Sequence, residues 1–154
     1  MTDERYRLKI KTNMKIADAI AELSTCNFTK VGAVIVDTSS NRIIATGYNG
    51  SYPGAKHCTE MQWEDSAEGR QQHKEWSDNN EIHAELNAIL NAAKNGAKIE
   101  SCHLYTTVSP CRNCLKHIKT AGISKVYYTE QYWRYTDEEM NSLSNQYNIS
   151  LEKV

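Results

Sequence analysis

The spacing of apolar residues predicts a helix followed by a hairpin in the first third of the chain. Over residues 14–23 apolar positions are dense and recur with a helical period, which predicts a buried helix. Two runs rich in β-branched residues follow, at 31–36 and 42–46, and the polar cluster 37–41 separates them. Such a pattern predicts a β-hairpin.

A long polar segment at 49–80 interrupts this order. It carries Gly50, Pro53 and Gly54 near its start and shows no sustained period, so it is predicted to be a loop. A loop of this length inside a compact domain is usually functional or held in place by a bound group.

Regular patterning returns at residues 82–94, which are rich in helix formers and end at Asn95-Gly96, a helix stop signal. The remaining pattern predicts strands at 103–108, 125–129 and 149–153, and helices at about 111–121 and 137–147. A helix, a hairpin and then alternating helices and strands predict an α/β fold, a three-layer α/β/α sandwich around one mixed central sheet.

Composition narrows the class of protein. The 154 residues are close to the ~150 of one domain, so a single catalytic-size domain spanning 1–154 is expected. With 18 Lys and Arg against 19 Asp and Glu, the chain lacks the basic excess that polynucleotide binding requires, although a compact anion remains a possible ligand. Apolar runs fall short of the ~18 residues of a membrane span, and the charged N-terminus lacks a secretory signal. A cytoplasmic protein with no membrane role is therefore expected.

Two short segments carry the chemistry, His83-Ala84-Glu85 and Pro110-Cys111-Arg112-Asn113-Cys114. Cysteines in a reducing compartment indicate thiolate chemistry or metal binding rather than disulfides. Cys111 and Cys114 lie one helical turn apart, so with the His83 imidazole they offer three ligands suited to zinc. The fourth position would be left for a water molecule, whose pKa bound zinc lowers to about 7.

Glu85 lies two residues after His83, near enough to the metal to carry protons without being a ligand. A Cys-x-x-Cys pair alone also occurs as a redox pair or as half of a structural zinc site, and a lone His-Ala-Glu arises by chance. Together, and each at the start of a predicted helix, the two segments form the signature of zinc nucleobase deaminases.

The sequence resembles the cytidine deaminase superfamily and, within it, the phage-type deoxycytidylate (dCMP) deaminases. The resemblance covers roughly residues 14–153. It is carried by Val31-Gly-Ala-Val-Ile35, Gly47-Tyr-Asn-Gly50, His73-Lys-Glu-Trp76, Glu81-Ile-His-Ala-Glu-Leu-Asn-Ala-Ile-Leu90, Ser109-Pro-Cys-Arg-Asn-Cys114 and Ala121-Gly-Ile123.

The resemblance implies hydrolysis of dCMP to dUMP and ammonia, a step that feeds thymidylate synthesis. It also implies roles for four residues around the substrate. Asn49 would bind the sugar hydroxyl, the Ala84 N–H group the pyrimidine carbonyl, the Ser109 backbone the exocyclic amine, and Tyr132 would lie against the base. For the phosphate, Lys30 is the first expectation, with Lys94 and Arg134 as alternatives.

A second, structural zinc is implied within the long polar segment, because phage-type members carry one on ligands at matching positions. The matching residues here are Cys26, Cys58, His73 and Glu81, and His57 is a competing ligand. A closed metal site would explain how so long a loop is ordered.

The resemblance further implies regulation and assembly. A homo-hexamer is expected, activated by dCTP and inhibited by dTTP, with Mg²⁺ accompanying the triphosphate. The expected effector contacts are Gly47, Tyr48, Asn49, Gly50 and Ser51.

Two other functions share the zinc signature: a deaminase of tRNA or single-stranded DNA, and a non-catalytic zinc-stabilised binding module. The charge of the chain argues against the first and Glu85 against the second.

Overall fold

A mixed sheet forms the centre of the protein in the computed structural model, which describes residues 2–154. These residues form the strands β1 (Gly32–Val36), β2 (Ile43–Tyr48), β3 (Gly50–Ser51), β4 (Glu81–Ile82), β5 (His103–Val108), β6 (Lys125–Glu130) and β7 (Ser150–Lys153). Five of them make the sheet in the order β2-β1-β5-β6-β7. β1 is antiparallel to β2 and β5, whereas β5, β6 and β7 are parallel. β3 and β4 pair separately as a short antiparallel ribbon.

The described residues form five α-helices, four of which cover the two faces of the sheet. The five helices are α1 (Asp3–Ala21), α2 (Ala67–Asn80), α3 (Ala84–Lys94), α4 (Arg112–Thr120) and α5 (Asp137–Tyr147). α1 packs on one face, and α3, α4 and α5 pack on the other, while α2 packs beside β3 and β4. Of the helices within residues 2–154, none has the length and apolarity needed to cross a membrane. The three-layer α/β/α sandwich with a mixed sheet, predicted from the sequence, is confirmed.

The strand β1 shows why its sequence is apolar throughout. Val34 and Val36 contact the core under α1, while Ala33 and Ile35 contact the core under α3 and α4. All five β1 residues are buried. A strand covered on both faces has no solvent side, so alternation between polar and apolar residues disappears.

Two glycines allow helices to approach the sheet closely. A Cβ atom on Gly32 would lie 2.1 Å from the Ala17 carbonyl oxygen of α1. A Cβ atom on Gly47 would lie 2.3 Å from the Ala84 carbonyl oxygen, at the very start of α3. Any larger residue at 47 would therefore push the start of α3 away from β2.

The side chains of α3 also bind the outer edge of β2. Asn87 Nδ2 donates to the Tyr48 carbonyl at 2.7 Å, and Asn91 Nδ2 donates to the Thr46 carbonyl at 2.8 Å. These two asparagines are one helical turn apart, which matches the spacing of alternate carbonyls along the strand.

The first helix begins earlier than the apolar pattern predicts, at Asp3 rather than near residue 14. Thr2 caps it by accepting a hydrogen bond from the Arg5 N–H group at 3.4 Å, and Asp3 pairs with Arg7 at 2.9 Å. These first turns are mostly exposed, so capping and an i,i+4 ion pair form the helix without an apolar face.

The prediction of a loop over 49–80 is wrong for residues 67–80, which form α2. This helix is polar on nearly all sides and buries only Gly69, so no helical period was visible. The features of the sequence that indicate this helix are a capping residue and an i,i+4 ion pair. Ser66 Oγ accepts from the Gly69 N–H group at 3.0 Å, and Lys74 pairs with Asp78 at 2.8 Å. The other predicted elements are present within about two residues of their expected limits.

Candidate active site

Three possible metal ligands meet where α3 and α4 begin. His83 immediately precedes α3, Cys111 immediately precedes α4, and Cys114 lies on the first turn of α4. The His83 Nδ1 atom is 3.6 Å from Cys111 Sγ and 3.5 Å from Cys114 Sγ. All three donor atoms lie within 4.8 Å of one another. The two predicted segments are therefore brought together.

The spacing of these donors fits zinc. In a tetrahedral site with Zn–S and Zn–N bonds of about 2.3 and 2.05 Å, nitrogen and sulfur ligands lie about 3.5 Å apart. Both measured distances match that value. Two thiolates and one imidazole are ligands that zinc prefers, and a set of three leaves one position for water or substrate.

Contacts among the three ligands shift their pKa values. Hydrogen bonds from Cys114 and His83 lower the pKa of Cys111, and the same contact with Cys111 raises the pKa of His83 to about 9. The pKa of Cys114 is raised, first by its hydrogen bond with Cys111 and then by burial. A metal that binds here must displace these protons, so its affinity depends on pH.

Glu85 lies beside this group without belonging to it. Its side chain is only 4% exposed, and Oε2 is 3.7 Å from Cys114 Sγ. Burial raises the pKa of Glu85, an effect that the nearby His83 opposes. A carboxyl group with a raised pKa can both accept and return a proton near neutral pH, which is what a general acid–base requires.

A backbone donor and a backbone acceptor flank the three ligands. The Ala84 N–H group, at the start of α3, makes no hydrogen bond within residues 2–154. Ser109 is buried and fixed on both sides: its N–H group donates to the Glu130 carbonyl at 2.7 Å, and its Oγ accepts from the Tyr132 N–H group at 2.8 Å. Its own carbonyl accepts no hydrogen bond from the described part of the chain.

The Asn49 side chain is held in one orientation. Its Oδ1 accepts from the Val31 N–H group at 2.8 Å, and its Nδ2 donates to the Thr29 carbonyl at 2.7 Å. Because an amide side chain has two N–H hydrogens and two lone pairs, one of each remains for a ligand.

Tyr132 and Lys30 differ in how well they are placed. The Tyr132 ring packs against Tyr135 with centroids 5.3 Å apart, and burial raises its pKa. Lys30 is exposed and belongs to neither ligand group. Its role stays a prediction.

The expected effector segment includes two glycines with packing roles. Gly47 is buried against α3, and Gly50 is buried with the Thr25 hydroxyl 3.0 Å from the position of a Cβ atom. Packing alone is therefore sufficient to explain why both residues are glycine. Tyr48 is exposed and Ser51 is partly exposed, so both are open to a ligand.

A second group of possible ligands combines Cys26, Cys58, His73 and Glu81, whose donor atoms lie within 4.8 Å of one another. Cys26 Sγ is 3.7 Å from His73 Nε2, and His73 Nε2 is 3.9 Å from Glu81 Oε2. Both cysteines are buried. The rings of Phe28, Trp63 and Trp76 surround the His73 ring. The His73 and Glu81 side chains are only 13% and 4% exposed, so the donor atoms are largely shielded from solvent, as in a structural metal site.

The second group also carries an unpaired acceptor. Glu81 Oε2 accepts from the Ser77 hydroxyl at 2.6 Å, but the buried Oε1 has no hydrogen-bond partner within the described residues. A buried carboxylate oxygen without a partner is costly unless a cation satisfies it. Burial raises the pKa of Cys26 to about 11. His57 lies outside this group.

Sequence reasoning missed Tyr135, whose hydroxyl accepts a hydrogen bond from the Arg112 N–H group at 3.1 Å. Twenty-three positions separate the two residues, and no periodic pattern connects them. The aromatic run Tyr132-Trp-Arg-Tyr135 was the one available hint. The contacts of Phe28, Trp63 and Trp76 with the His73 ring were missed for the same reason.

Comparison with known proteins identifies the family. The family described as "Cytidine and deoxycytidylate deaminase zinc-binding region" matches residues 8–130. The chain belongs to this family. The matched region contains both ligand groups and Glu85, so a zinc-binding deaminase, as the sequence motifs predicted, is confirmed.

Relatives within the cytidine and deoxycytidylate deaminase family cover most of the chain. The deoxycytidylate deaminases of Enterobacteria phages T4 and T2 are each 39% identical over 155 residues; both alignments cover 81% of this chain, and 79% and 81% of those proteins. The crystal structure of the dCMP deaminase of cyanophage S-TIM5 in complex with dCMP and dUMP is 32% identical. It covers 100% of this chain and 99% of its own, with a TM-score of 0.73.

Proposed function

We propose that this protein hydrolyses dCMP to dUMP and ammonia. The observation that carries the proposal is the buried Glu85 carboxylate beside three converging zinc ligands, His83, Cys111 and Cys114. A purely structural zinc needs no buried carboxyl group next to its ligands. The similarity to phage deoxycytidylate deaminases supports a free nucleotide as the substrate.

The zinc ligands and Glu85 have different roles in the proposed reaction. His83, Cys111 and Cys114 would hold the zinc ion, which when bound would make a water molecule acidic enough to act as a nucleophile at neutral pH. Glu85 would take one proton from the attacking water and pass it to the ring nitrogen. It would then carry the second proton, from the new hydroxyl group on C4, to the amine, which leaves as ammonia while the C4 carbonyl forms. Because Glu85 is buried, bulk water does not compete for these protons.

The flanking groups orient the pyrimidine. The free Ala84 N–H group binds the ring carbonyl, and the free Ser109 carbonyl accepts a hydrogen bond from the exocyclic amine. Asn49 binds the sugar hydroxyl with the amide hydrogen that its local contacts leave over. Tyr132 lies against the base, and Lys30 contacts the phosphate.

A substrate screen tests the proposal. Ammonia release should be fastest with dCMP among cytosine nucleosides, monophosphates and triphosphates, and labelled tRNA or single-stranded DNA should not bind at low salt. Preferential deamination of a polynucleotide would support the alternative enzyme class instead. Failure to release ammonia from any of these compounds would favour a non-catalytic binding module.

We also propose that the second ligand group holds a structural zinc. The four convergent donors, the aromatic rings around His73 and the unpaired Glu81 oxygen support this role. Such a metal would fix the segment between β3 and β4 onto the rest of the fold. The pairing of β3 with β4 alone involves only two residues from each strand.

We further propose regulation by nucleotides in a homo-hexamer, with dCTP, accompanied by Mg²⁺, as activator and dTTP as inhibitor. The support is the resemblance of residues 47–51 to the effector segment of the family. Since Gly47 and Gly50 are buried, the contacts to an effector would come from Tyr48, Asn49 and Ser51.

A further inference from the structure

The segment after β6 lies along the turn that carries Cys111. We infer that Tyr135 is a positioning residue for the zinc ligands, because its hydroxyl group holds the beginning of α4 in place. The inference rests on the proposed function only in taking this ligand group as the catalytic one. It concerns a residue that belongs to neither ligand group and to none of the sequence motifs.

The beginning of α4 lacks an ordinary cap. The first N–H groups of a helix have no partner within the helix, and a polar side chain at the position before it usually accepts one of them. That position is Cys111, which makes no capping hydrogen bond. Its sulfur lies near His83 and Cys114. An ordinary cap accepts from the second or third N–H group of a helix, so the first one, that of Arg112, can be satisfied only by an acceptor outside the helix.

Tyr135 supplies that acceptor. Its hydroxyl oxygen receives the Arg112 N–H hydrogen bond at 3.1 Å, directly next to Cys111 in the chain. The Arg112 side chain adds a second contact, donating from Nη1 to Gln146 Oε1 of α5 at 3.2 Å. Both contacts fix the first residue of α4 relative to the end of the molecule that contains α5.

The same segment holds the other side of Cys111. The Tyr132 N–H group donates to Ser109 Oγ at 2.8 Å, two residues before the cysteine. The segment is itself rigid, because the Tyr135 N–H group donates to the Tyr132 carbonyl at 2.9 Å and Gln131 Nε2 donates to the Tyr135 carbonyl at 2.7 Å. Cys111 is thus held between two hydrogen bonds from one short, internally bonded loop.

Tyr135→Phe tests the inference, because it keeps the ring and removes only the hydroxyl group. The matched control is Tyr147→Phe: Tyr147 packs against the same core as Tyr135, and its hydroxyl makes no hydrogen bond within residues 2–154. Loss of a group that orients a metal ligand typically weakens metal affinity by about 10- to 100-fold. We expect zinc retention against a competing chelator to fall by about tenfold in Tyr135→Phe and to stay unchanged in Tyr147→Phe.

Three further readouts separate positioning from general stability. The zinc content lost in Cys111→Ala shows how much of the total zinc is bound by the group of His83, Cys111 and Cys114. Amide hydrogen exchange at Arg112 should accelerate in Tyr135→Phe alone, and kcat for dCMP should fall with little change in KM. Unchanged zinc retention and unchanged Arg112 exchange in Tyr135→Phe would overturn the inference, even if Tyr135→Ala were destabilised. If Tyr135→Phe binds zinc more weakly but the wild-type protein deaminates none of the compounds, the inference stands and only the proposed function is contradicted.

Discussion

Glu81 and Glu85 lie four positions apart, yet their surroundings give them different chemistry. Glu85 has no strong donor facing its carboxylate, so burial dominates and its pKa rises. Glu81 accepts from Ser77 through one oxygen and leaves the other without a partner, beside Cys26 and His73. The first environment suits a group that exchanges protons, and the second suits a group that binds a cation.

Replacement of Glu85 should separate chemistry from metal binding. We expect Glu85→Ala to abolish ammonia release from dCMP while zinc content stays near that of the wild type, because Glu85 carries protons and is not a ligand. Glu85→Gln is the closest control in shape and should be equally inactive. Cys111→Ala, in contrast, should lose zinc and activity together, since it removes one of three protein ligands. Normal turnover in Glu85→Ala, or loss of its zinc, would contradict the assigned role.

Among the elements, the short ribbon of β3 and β4 connects the two ligand groups. β4 begins at Glu81 and leads through one residue to His83. On the opposite side, the Cys26 N–H group donates to Ser24 Oγ at 3.2 Å, and that hydroxyl donates to the Asn49 carbonyl at 2.8 Å. The second group is therefore tied to a zinc ligand and to a proposed substrate contact.

Loss of the second metal should consequently weaken substrate binding at the active site. Zinc analysis of the wild type should approach two per chain, and Cys58→Ala should reduce it toward one, lower the thermal midpoint and raise KM for dCMP through Asn49. Cys102→Ala is the control, because this buried cysteine lies in neither group. A wild-type stoichiometry of one zinc, in protein purified without chelators, would contradict the second site. Unchanged KM in Cys58→Ala would contradict the coupling.

The turn between β1 and β2 depends on one carboxylate. Hydrogen bonds from Ser40 and Ser39 lower the pKa of Asp37 to about 2. Since this pKa lies below the ordinary value of 3.8, the ionised group stabilises the folded state above pH 3.8. That contribution disappears as pH falls through about 2. Asp37→Asn should therefore lower the free energy of unfolding at pH 7, and the difference from wild type should shrink in acid.

Carboxyl titration by NMR checks the cause of this effect. Ser40→Ala and Ser39→Ala should each move the pKa of Asp37 back toward its ordinary value, because each removes a donor to Oδ2. A pKa of Asp37 near 3.8 in the wild type would contradict the prediction.

At the scale of the whole molecule, the proposed regulation by nucleotides predicts a particular form of the saturation kinetics. An effector changes activity only through different affinities for two states of the protein. We therefore expect dCMP saturation to be sigmoidal, to become hyperbolic with dCTP and Mg²⁺, and to steepen with dTTP. Sedimentation under the same conditions measures the predicted hexamer. Hyperbolic kinetics insensitive to both triphosphates would show a member of the family without this control.

The sequence predicted those parts of the fold that are governed by burial or by ligand chemistry. β1 is buried on both faces and α3 on one, so their apolar patterns were clear, and His83, Cys111 and Cys114 were recognisable because zinc restricts ligand type and spacing. Elements formed by local polar contacts were missed. The first turns of α1 and nearly all of α2 depend on caps and i,i+4 pairs, which create no periodic pattern.

Contacts between distant residues were beyond sequence reasoning as well. Tyr135 meets Arg112, and Asn91 meets Thr46, only because the topology places their elements side by side. The polar side chains involved look, in the sequence, like ordinary surface residues.

The two asparagines of α3 limit how copies of this chain can associate. An exposed strand edge with free carbonyl groups can pair with another chain and extend the sheet, which is a common route to aggregation. In β2 the Thr46 and Tyr48 carbonyls already accept hydrogen bonds from Asn91 and Asn87, and a foreign strand would have to displace both. Subunits of an assembly would therefore not meet by continuing the sheet beyond β2.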